Sequence, residues 1–225
     1  MRKFSFRSAE FSDIDALVTL EKAVEAALPS REMFAIDDAD FYVPIAAGAG
    51  HILLAFDEGQ ELAGVSVIRY PSPDDAENLG LSLGLCGDDL KRVRHAESIF
   101  IRPDCAGYGL AGKLLRENLQ LTEDSGHDLT FATIWPHNTP SLKLHLACGF
   151  HIRAFALKYG GKPRFVLMRS SSSPSLAEEV QHASAGDFEL HRRLLASGWA
   201  GTGCHVLATG EIIIEYRRIL APAYI

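Results

Sequence analysis

Short runs in which apolar and polar residues alternate recur along most of this chain and predict β-strands. Between these runs, apolar residues recur at the spacing of one helix face. The predicted strands cover residues 4–7, 51–56, 62–70, 96–101, 129–135, 152–157 and 164–168, and the predicted helices cover residues 13–24, 40–47, 110–125 and 139–148. Helices that alternate with strands in this way predict an α/β (α+β mixed) fold, in which helices flank a mixed sheet.

The pattern changes after residue 169. The serine-rich stretch 170–175 has the composition of a linker. Beyond it, residues 188–195 predict a short helix, and residues 205–216 predict a hairpin that turns at Thr209 and Gly210. We therefore divide the chain into a main domain 1–169, a linker 170–175 and a C-terminal helix-hairpin extension 176–225. An extension of this size has few residues for its own core, so we expect it to dock on the main domain or on a second subunit, as in a homodimer.

A glycine-rich turn joins the strand that ends at Ile101 to the following helix. Gly107 and Gly109 can adopt backbone angles that are closed to other residues, and they leave no side chain in the way. The helix then begins near Leu110, and the free N–H groups of its first turn can point at a phosphate group. The turn predicts a phosphate-binding cradle that contains residues 107–112.

A second segment carries a short helix with clear start and stop signals. Thr139 can cap its first turn, Pro140 occupies a position that favours proline, and Gly149 ends it. Asn138 precedes the helix.

Together, the two segments resemble the GNAT superfamily of N-acetyltransferases. The family's first signature, Gln/Arg-x-x-Gly-x-Gly/Ala, corresponds to residues 106–111, with Ala106 in place of the usual Gln or Arg. Its second signature is matched by Asn138, Ser141, His145, Gly149 and Phe150. The two motifs occur in the family's order and spacing, which is much more specific than either alone. The resemblance covers roughly Phe4 to Arg169 and implies a central, mostly antiparallel sheet of the GNAT type.

The resemblance implies an acetyl-CoA-dependent N-acetyltransferase, an acyltransferase of the EC 2.3.1 type. The acceptor would be a primary amine of a small molecule or of an amino-acid-like compound, and it would attack the thioester directly in a ternary complex. In the family, backbone N–H groups of the fourth strand contact the pantetheine and the thioester carbonyl. The residues implied in acetyl-CoA binding are Ile99, Phe100, Ile101, Gly107, Tyr108, Gly109, Leu110, Ala111, Gly112, Asn138 and Ser141.

Glu97 is the candidate general base. It alternates with Ile99 and Ile101 along the predicted strand, where a carboxylate can deprotonate the amine directly or through a water molecule. It can instead be an ordinary strand-end carboxylate, solvated or paired with Arg94 or Arg102. We favour the base role slightly, because a charge within an apolar run is costly without a partner.

His145 is the candidate general acid. It occupies the position where many family members carry the tyrosine that protonates the departing thiolate. A protonated imidazole can deliver this proton near neutral pH. Three alternatives stay open: His145 only packs within its helix, Cys148 is the acid, or a water molecule is the acid.

Composition restricts the other classes of function. The chain has 225 residues, of which 47% are hydrophobic, and it carries 29 acidic against 22 basic residues for a net charge of −7. This balance argues against a nucleic-acid partner. The absence of an apolar run of about 18 residues argues against a membrane partner, and we expect a cytoplasmic location. Four widely spaced cysteines and histidines without ligand spacing predict no metal site.

Two alternative functions remain. A catalytically weak or inactive acyl-CoA-binding regulatory protein would keep the cradle, and both Ala106 and the missing tyrosine favour it. A nucleotide site of another kind would also use a glycine-rich turn. However, the chain lacks the Gly-Lys-Ser/Thr ending and the Gly-x-Gly-x-x-Gly spacing of such sites.

Overall fold

The computed structural model describes residues 2–33 and 36–221. It divides into two compact units. The first unit contains the residues up to Ser72 together with Arg94–His127, and the second contains Pro73–Val93 together with the residues from Asp128 onward. Each unit has its own helices and strands and its own apolar core.

In the described residues of the first unit, three α-helices accompany four strands. The strands follow one another in space in chain order, and each neighbouring pair is antiparallel. The strands are β1 (Ser5–Ser8), β2 (Gly50–Phe56), β3 (Leu62–Arg69) and β4 (Val93–Ile101), and the helices are α1 (Ile14–Ala27), α2 (Ala39–Pro44) and α3 (Leu110–Leu121). The hairpin predicted for residues 51–70 is therefore present as β2 and β3.

Helix α3, which follows the glycine-rich turn, packs closely on the sheet of the first unit. Gly64 on β3 allows this approach, because a Cβ atom there would lie 3.0 Å from Cδ1 of Leu114 and 2.6 Å from Cδ1 of Ile101. The buried Asn118 fixes the same helix, since its Nδ2 donates to the carbonyl of Ser66 at 2.8 Å. Its Oδ1 lies 2.7 Å from Nδ1 of His51. These contacts fix the position of α3 against the strands of the first unit.

The part of the second unit that the structure describes contains six strands and two α-helices. Within it, antiparallel pairs join β5 to β7, β7 to β6, β6 to β9, β9 to β10, and β10 to β8. The strands are β5 (Leu129–Ile134), β6 (His151–Lys158), β7 (Lys162–Ser170), β8 (Ser175–Ser184), β9 (Trp199–Val206) and β10 (Ile212–Ala221), and the helices are α4 (Thr139–Ala147) and α5 (Phe188–Ala196).

The C-terminal residues pack onto the other elements of the second unit. Ile152 on β6 pairs with Gly201 on β9, and the ring of Phe188 on α5 stacks on Phe155 of β6 with centroids 5.0 Å apart. The helix and hairpin predicted beyond the linker are present as α5, β9 and β10. Strand β8 is not predicted from the sequence.

Gly201 gives a test of this packing. A Cβ atom at Gly201 would lie 2.7 Å from Cδ1 and 2.8 Å from Cβ of Ile152, so the strands would have to separate. We expect Gly201→Ala to lower the free energy of unfolding by about 1–3 kcal/mol, the usual cost of overpacking. Urea unfolding of both variants measures the effect, with Gly186→Ala as the control, because no atom lies within 4 Å of its Cβ position. Equal stability of the two variants would contradict the close approach of β9 and β6.

The fold class is the predicted one, a mixed α/β structure whose described strand pairs within the two units are antiparallel. No helix in the described part of the chain is both long and apolar enough to cross a membrane.

Candidate active site

The glycine-rich turn has the backbone geometry that its sequence predicts. Gly107 has φ 81° and Gly109 has φ 75°, both in the left-handed region that favours glycine. Gly109 is the N-cap residue of α3, and no side chain caps the amides of the first turn. The N–H groups of Leu110, Ala111 and Gly112 therefore start the helix without intrahelical acceptors. A Cβ atom at Gly107 or Gly109 would meet no atom within 4 Å, so the turn is open.

The charges around the turn favour an anion. The first turn of α3 contains no acidic residue, so the positive end of the helix dipole is not compensated there. The guanidinium of Arg2 lies 5.5 Å from the ring centroid of Tyr108, a residue that is 56% exposed. Arg2 thus places a cation beside the turn, and its Nη1 also lies 3.4 Å from the carboxylate of Asp104. Ala106 contributes no polar side chain there.

Arg102 anchors the chain just before the turn. Its Nη2 donates to Asp57 at 2.5 Å and its Nε donates to Asp104 at 2.7 Å. The hydrogen bond with Arg102 lowers the pKa of the Asp104 carboxyl to about 2. The guanidinium is thereby engaged with the turn between β2 and β3 and is not paired with Glu97.

Strand β4 carries three more residues that the resemblance implies in acetyl-CoA binding. Ile99, Phe100 and Ile101 pair in register with Ser66, Val65 and Gly64 of β3. The register then shifts, so that Val67 faces Ser98 but Ile68 faces Ala96. Glu97 is the extra residue at this bulge, and bulges re-aim the side chains that they carry.

The carboxylate of Glu97 is held by two partners that the sequence does not reveal. Arg69 Nε donates to Glu97 Oε1 at 2.5 Å, and His95 Nδ1 lies 3.2 Å from the same oxygen. Arg69 Nη2 also lies 3.1 Å from His95 Nδ1, so the three side chains form one cluster. Arg94 is engaged elsewhere, with the hydroxyl of Thr122 at 2.6 Å. The pairing with Arg94 or Arg102 considered above is therefore wrong, because Arg69 is the partner.

The cluster sets the charge of Glu97. Burial raises the pKa of the Glu97 carboxyl, but the hydrogen bond with His95 and the charge of Arg69 outweigh burial, so the pKa lies below its usual range. Glu97 is consequently ionised at neutral pH. Its side chain as a whole is 19% exposed.

Two further acidic side chains lie near this cluster, and the sequence does not single them out as site residues. Glu21 on α1 is fully buried, and its Oε1 accepts a 3.4 Å hydrogen bond from the backbone N–H of Asp37. Burial raises the pKa of the Glu21 carboxyl to about 7. Burial and the like charge of Glu97 raise the pKa of the Asp37 carboxyl to about 6. The acidic pair 37–38 can be seen in the sequence, but its proximity to Glu97 depends on the fold.

In the second unit, α4 gathers the residues of the second motif. The Asn138 Oδ1 accepts a hydrogen bond from the Ser141 N–H at 3.2 Å, so Asn138 caps the helix. His145 Nδ1 lies 2.9 Å from the carbonyl oxygen of Ser141, and its ring meets the edge of Phe150 with centroids 5.1 Å apart. The structure therefore brings Asn138, Ser141 and His145 together on one short helix.

Burial determines the protonation of His145, which is 5% exposed. Because a carbonyl oxygen only accepts, Nδ1 carries the hydrogen of the bond to Ser141. Burial lowers the pKa of the His145 imidazole below its usual 6.5, although the bond to Ser141 partly opposes this effect. The neutral ring is thus the favoured form at neutral pH.

A metal site needs a group of ligand side chains that lie close together. Within residues 2–33 and 36–221, no group of three or more His, Cys, Asp or Glu side chains could hold a metal ion.

Comparison with protein families gives a match over residues 17–150 to the acetyltransferase (GNAT) family. This match covers more than half of the chain and contains both motifs. No curated protein matches the chain closely enough in sequence to count as a relative.

Solved structures with the same fold include several acetyltransferases. The protein yncA from Salmonella typhimurium, assigned as an acetyltransferase and solved with its cofactor acetyl-CoA, has a TM-score of 0.58 and 17% identity over 78% of this chain and 98% of its own. The ribosomal-protein-alanine N-acetyltransferase of Brucella melitensis has a TM-score of 0.54 and 18% identity, covering 74% and 99%. The phosphinothricin acetyltransferase of Sinorhizobium meliloti, in complex with acetyl-CoA, has a TM-score of 0.53 and 18% identity, covering 74% and 88%. Identities this low support a shared fold and do not identify an acceptor.

Proposed function

The chain belongs to the acetyltransferase (GNAT) family, and from this premise we propose that it transfers the acetyl group of acetyl-CoA directly to a primary amine of a small molecule or of an amino-acid-like compound. The observation that carries the proposal is the open turn before α3, with two left-handed glycines and uncapped first-turn amides. Such a turn suits the pyrophosphate of CoA, because backbone N–H groups and the helix dipole both favour an anion.

The reaction needs no covalent intermediate on the protein. The amine nitrogen attacks the thioester carbonyl carbon, a C–N bond forms, and the carbonyl oxygen takes up negative charge. The C–S bond then breaks, the amide is complete, and the thiolate of CoA takes a proton. The backbone of Ile99, Phe100 and Ile101 is the proposed contact for the pantetheine and the carbonyl oxygen.

Glu97 is the proposed acceptor of the amine proton. A carboxylate with a lowered pKa is a weak base toward a free ammonium group. The nitrogen becomes much more acidic once it has bonded to the carbonyl carbon, and at that stage a positioned carboxylate is sufficient. The ion pair with Arg69 supports this role, because it keeps Glu97 ionised and fixes its orientation.

His145 is the proposed donor of the proton that the departing thiolate takes up. Asn138 and Ser141 are the proposed contacts of the pantetheine. The imidazole ring can donate a second proton only in its charged form, because Nδ1–H is already bonded to Ser141. Cys148 or a water molecule is the competing donor.

Replacing His145 by phenylalanine tests this assignment. The phenyl ring keeps most of the packing against Phe150 and removes both nitrogens. If His145 is the acid, turnover should fall on the order of 10²-fold, and the alkaline limb of the wild-type pH profile should lie below pH 6.5, because burial lowers the pKa of the imidazole. Steady-state rates across pH with saturating amine measure both effects.

The control for His145 is Ser141→Ala. It removes a hydroxyl 3.4 Å from His145 Nδ1 but retains the backbone carbonyl that accepts the main hydrogen bond. We expect this variant to keep the alkaline limb in place. Wild-type turnover in His145→Phe would show that the ring only packs, and the acid would then be Cys148 or water.

The proposed function is tested by a panel of primary amines incubated with acetyl-CoA and the full-length chain. We expect free thiol to appear only when protein, acetyl-CoA and amine are all present, together with the acetylated amine. Binding of acetyl-CoA without thiol release by any amine would instead support an acyl-CoA-binding regulatory protein.

Three further statements from the sequence stay predictions. They are the division into a domain 1–169, a linker 170–175 and an extension 176–225, assembly into a homodimer, and a cytoplasmic location without nucleic-acid or membrane partners.

A further inference from the structure

A group of acidic side chains lies next to the Glu97 cluster in the first unit and is only partly neutralised. Asp37 links three carboxyl groups, because its charge acts on Glu21 and the charge of Glu97 acts on it. The guanidinium of Arg69 acts on both Asp37 and Glu97. Arg69 already donates to Glu97 at 2.5 Å and lies 3.1 Å from His95. Its positive charge is therefore largely taken up by Glu97.

Asp37 is the least satisfied of the three carboxylates. It is half-buried, and its side chain makes no hydrogen bond or ion pair with the described residues. The neighbouring Asp38 has a partner. Its carboxylate caps α2 by accepting a hydrogen bond from the Phe41 N–H at 3.2 Å. A half-buried carboxylate without a partner is costly unless a cation reaches it.

Two polar groups near Asp37 are completely buried, the Glu21 carboxyl and the Tyr42 hydroxyl. The Glu21 carboxyl and the Tyr42 hydroxyl are hydrogen-bonding partners of each other. Neither the second carboxylate oxygen of Glu21 nor that hydroxyl has a further partner among the described residues, and both residues are 0% exposed. Glu21 and Tyr42 interact electrostatically with each other, with Asp37 and, in the case of Tyr42, with Glu97. A buried carboxyl and a buried hydroxyl that have only each other as side-chain partners call for an explanation.

We propose that Asp37 and Glu97 bind the acceptor as a primary ammonium group with no carboxylate beside it, and that Glu21 and Tyr42 complete this site next to Asp37. The bound ammonium gives one proton to solvent water, and the neutral nitrogen then attacks the thioester. This inference rests on the proposed function and chooses between its two acceptor classes, plain amines and amino-acid-like compounds. An α-carboxylate would face Asp37 and Glu21 and would need Arg69, which is already paired. Like charges placed together are strongly unfavourable at a partly buried site.

Matched acceptor pairs test the choice of acceptor class. Each pair consists of an amino acid and the amine that remains when its carboxylate is removed: norvaline with n-butylamine, phenylalanine with 2-phenylethylamine, and tyrosine with tyramine. We expect the plain amine to have the higher kcat/KM in every pair, by at least about tenfold, because the carboxylate adds repulsion. Equal or higher kcat/KM for the amino acids would overturn the proposal.

A variant tests the part played by Asp37. Asp37→Asn should raise the KM for n-butylamine about tenfold or more and leave the KM for acetyl-CoA unchanged, since a charged hydrogen bond to the ammonium is lost. The matched control is Asp40→Asn, an exposed acidic residue in the first turn of α2, which should change neither constant. An unchanged amine KM in Asp37→Asn would also overturn the proposal.

Binding without turnover separates this proposal from the proposed function. Calorimetry with the full chain, CoA and n-butylammonium should show binding to the wild type and to Asp40→Asn, and about tenfold weaker binding to Asp37→Asn. The binding of n-butylammonium should weaken as the pH falls through about 6, because Asp37 then takes up a proton. The charged groups around Asp37 are Glu97, Asp38, Arg69 and Glu21. Asp37-dependent binding with no acetylated product would refute only the proposed function. No binding, or binding indifferent to Asp37→Asn, would refute the ammonium site.

Discussion

Replacing Gly109 by glutamate should abolish the stabilisation of the protein by acetyl-CoA and leave the fold intact. A ligand that binds only the native state stabilises it, by about 2.7 kcal/mol when its concentration is 100 times its Kd. The wild type should show this gain in thermal or urea unfolding, and Gly109→Glu should show almost none. The new carboxylate would stand at the N-terminus of α3, where it would repel the pyrophosphate and take its place at the free amides.

The structure indicates that this variant can still fold. A Cβ atom at Gly109 would meet no neighbour within 4 Å, so the main cost is the φ of 75°. An acidic group near a helix N-terminus stabilises the helix and offsets part of that cost.

The matched control is Gly126→Glu. Gly126 has φ 81° and is equally open, but it lies outside the cradle, beyond the C-terminal end of α3. It should lose similar intrinsic stability and keep the full stabilisation by acetyl-CoA. A folded Gly109→Glu variant that is stabilised as much as the wild type would show that the turn before α3 is not the phosphate site.

Glu97→Gln should lower turnover on the order of 10²-fold or more, the usual scale of positioned acid–base catalysis. The loss should hold across the pH range in which wild-type Glu97 is ionised, and the KM for acetyl-CoA should change little. Steady-state rates across pH with both substrates measure the effect. Glutamine preserves the shape of the side chain and an acceptor for Arg69, so the change removes mainly the charge and the basicity.

Arg69→Gln separates the base role from a purely structural ion pair. This variant also breaks the pair, but it leaves the carboxylate in place. Removing the cation should raise the pKa of Glu97 toward its usual range, so any acid limb that reports Glu97 should move to higher pH, and activity should survive above that limb. If Arg69→Gln loses as much activity as Glu97→Gln at every pH, Glu97 serves only to pair Arg69.

Local signals predict much of the fold and the cradle. The glycines of the turn and the apolar spacing of the following helix involve residues that are close together in sequence. The turn at residues 107–109 and the start of α3 can therefore be predicted from the sequence. The end of α3 is less visible. The prediction extends the helix to Ser125, whereas α3 ends at Leu121, where Arg94 from β4 bonds to the hydroxyl of Thr122.

Features that depend on distant residues are not predictable in the same way. Arg69 reaches Glu97 across 28 residues of sequence, and only the register of β3 with β4 and its shift at Glu97 bring them together. Asp37 joins the same group only through the fold, because no pattern in residues 36–42 distinguishes it from the neighbouring acidic residues.

Strand β8 is missed for a different reason. Its residues Ser175–Ser184 are mostly polar or exposed on both faces, so the sequence has no alternation to detect. The strand exists because it pairs with β10, for example Ile214 with Ala183. Such pairing is a tertiary effect that a local pattern cannot show.

Initial rates over a grid of acetyl-CoA and n-butylamine concentrations test the central claim most directly, that the acetyl group passes from bound acetyl-CoA straight to the amine. Direct attack in a ternary complex predicts double-reciprocal lines that intersect, with one acetylated amine formed for each free thiol. Parallel lines would indicate an acetylated protein intermediate and would contradict direct transfer. Thiol release that does not depend on the amine would contradict transfer to an amine altogether.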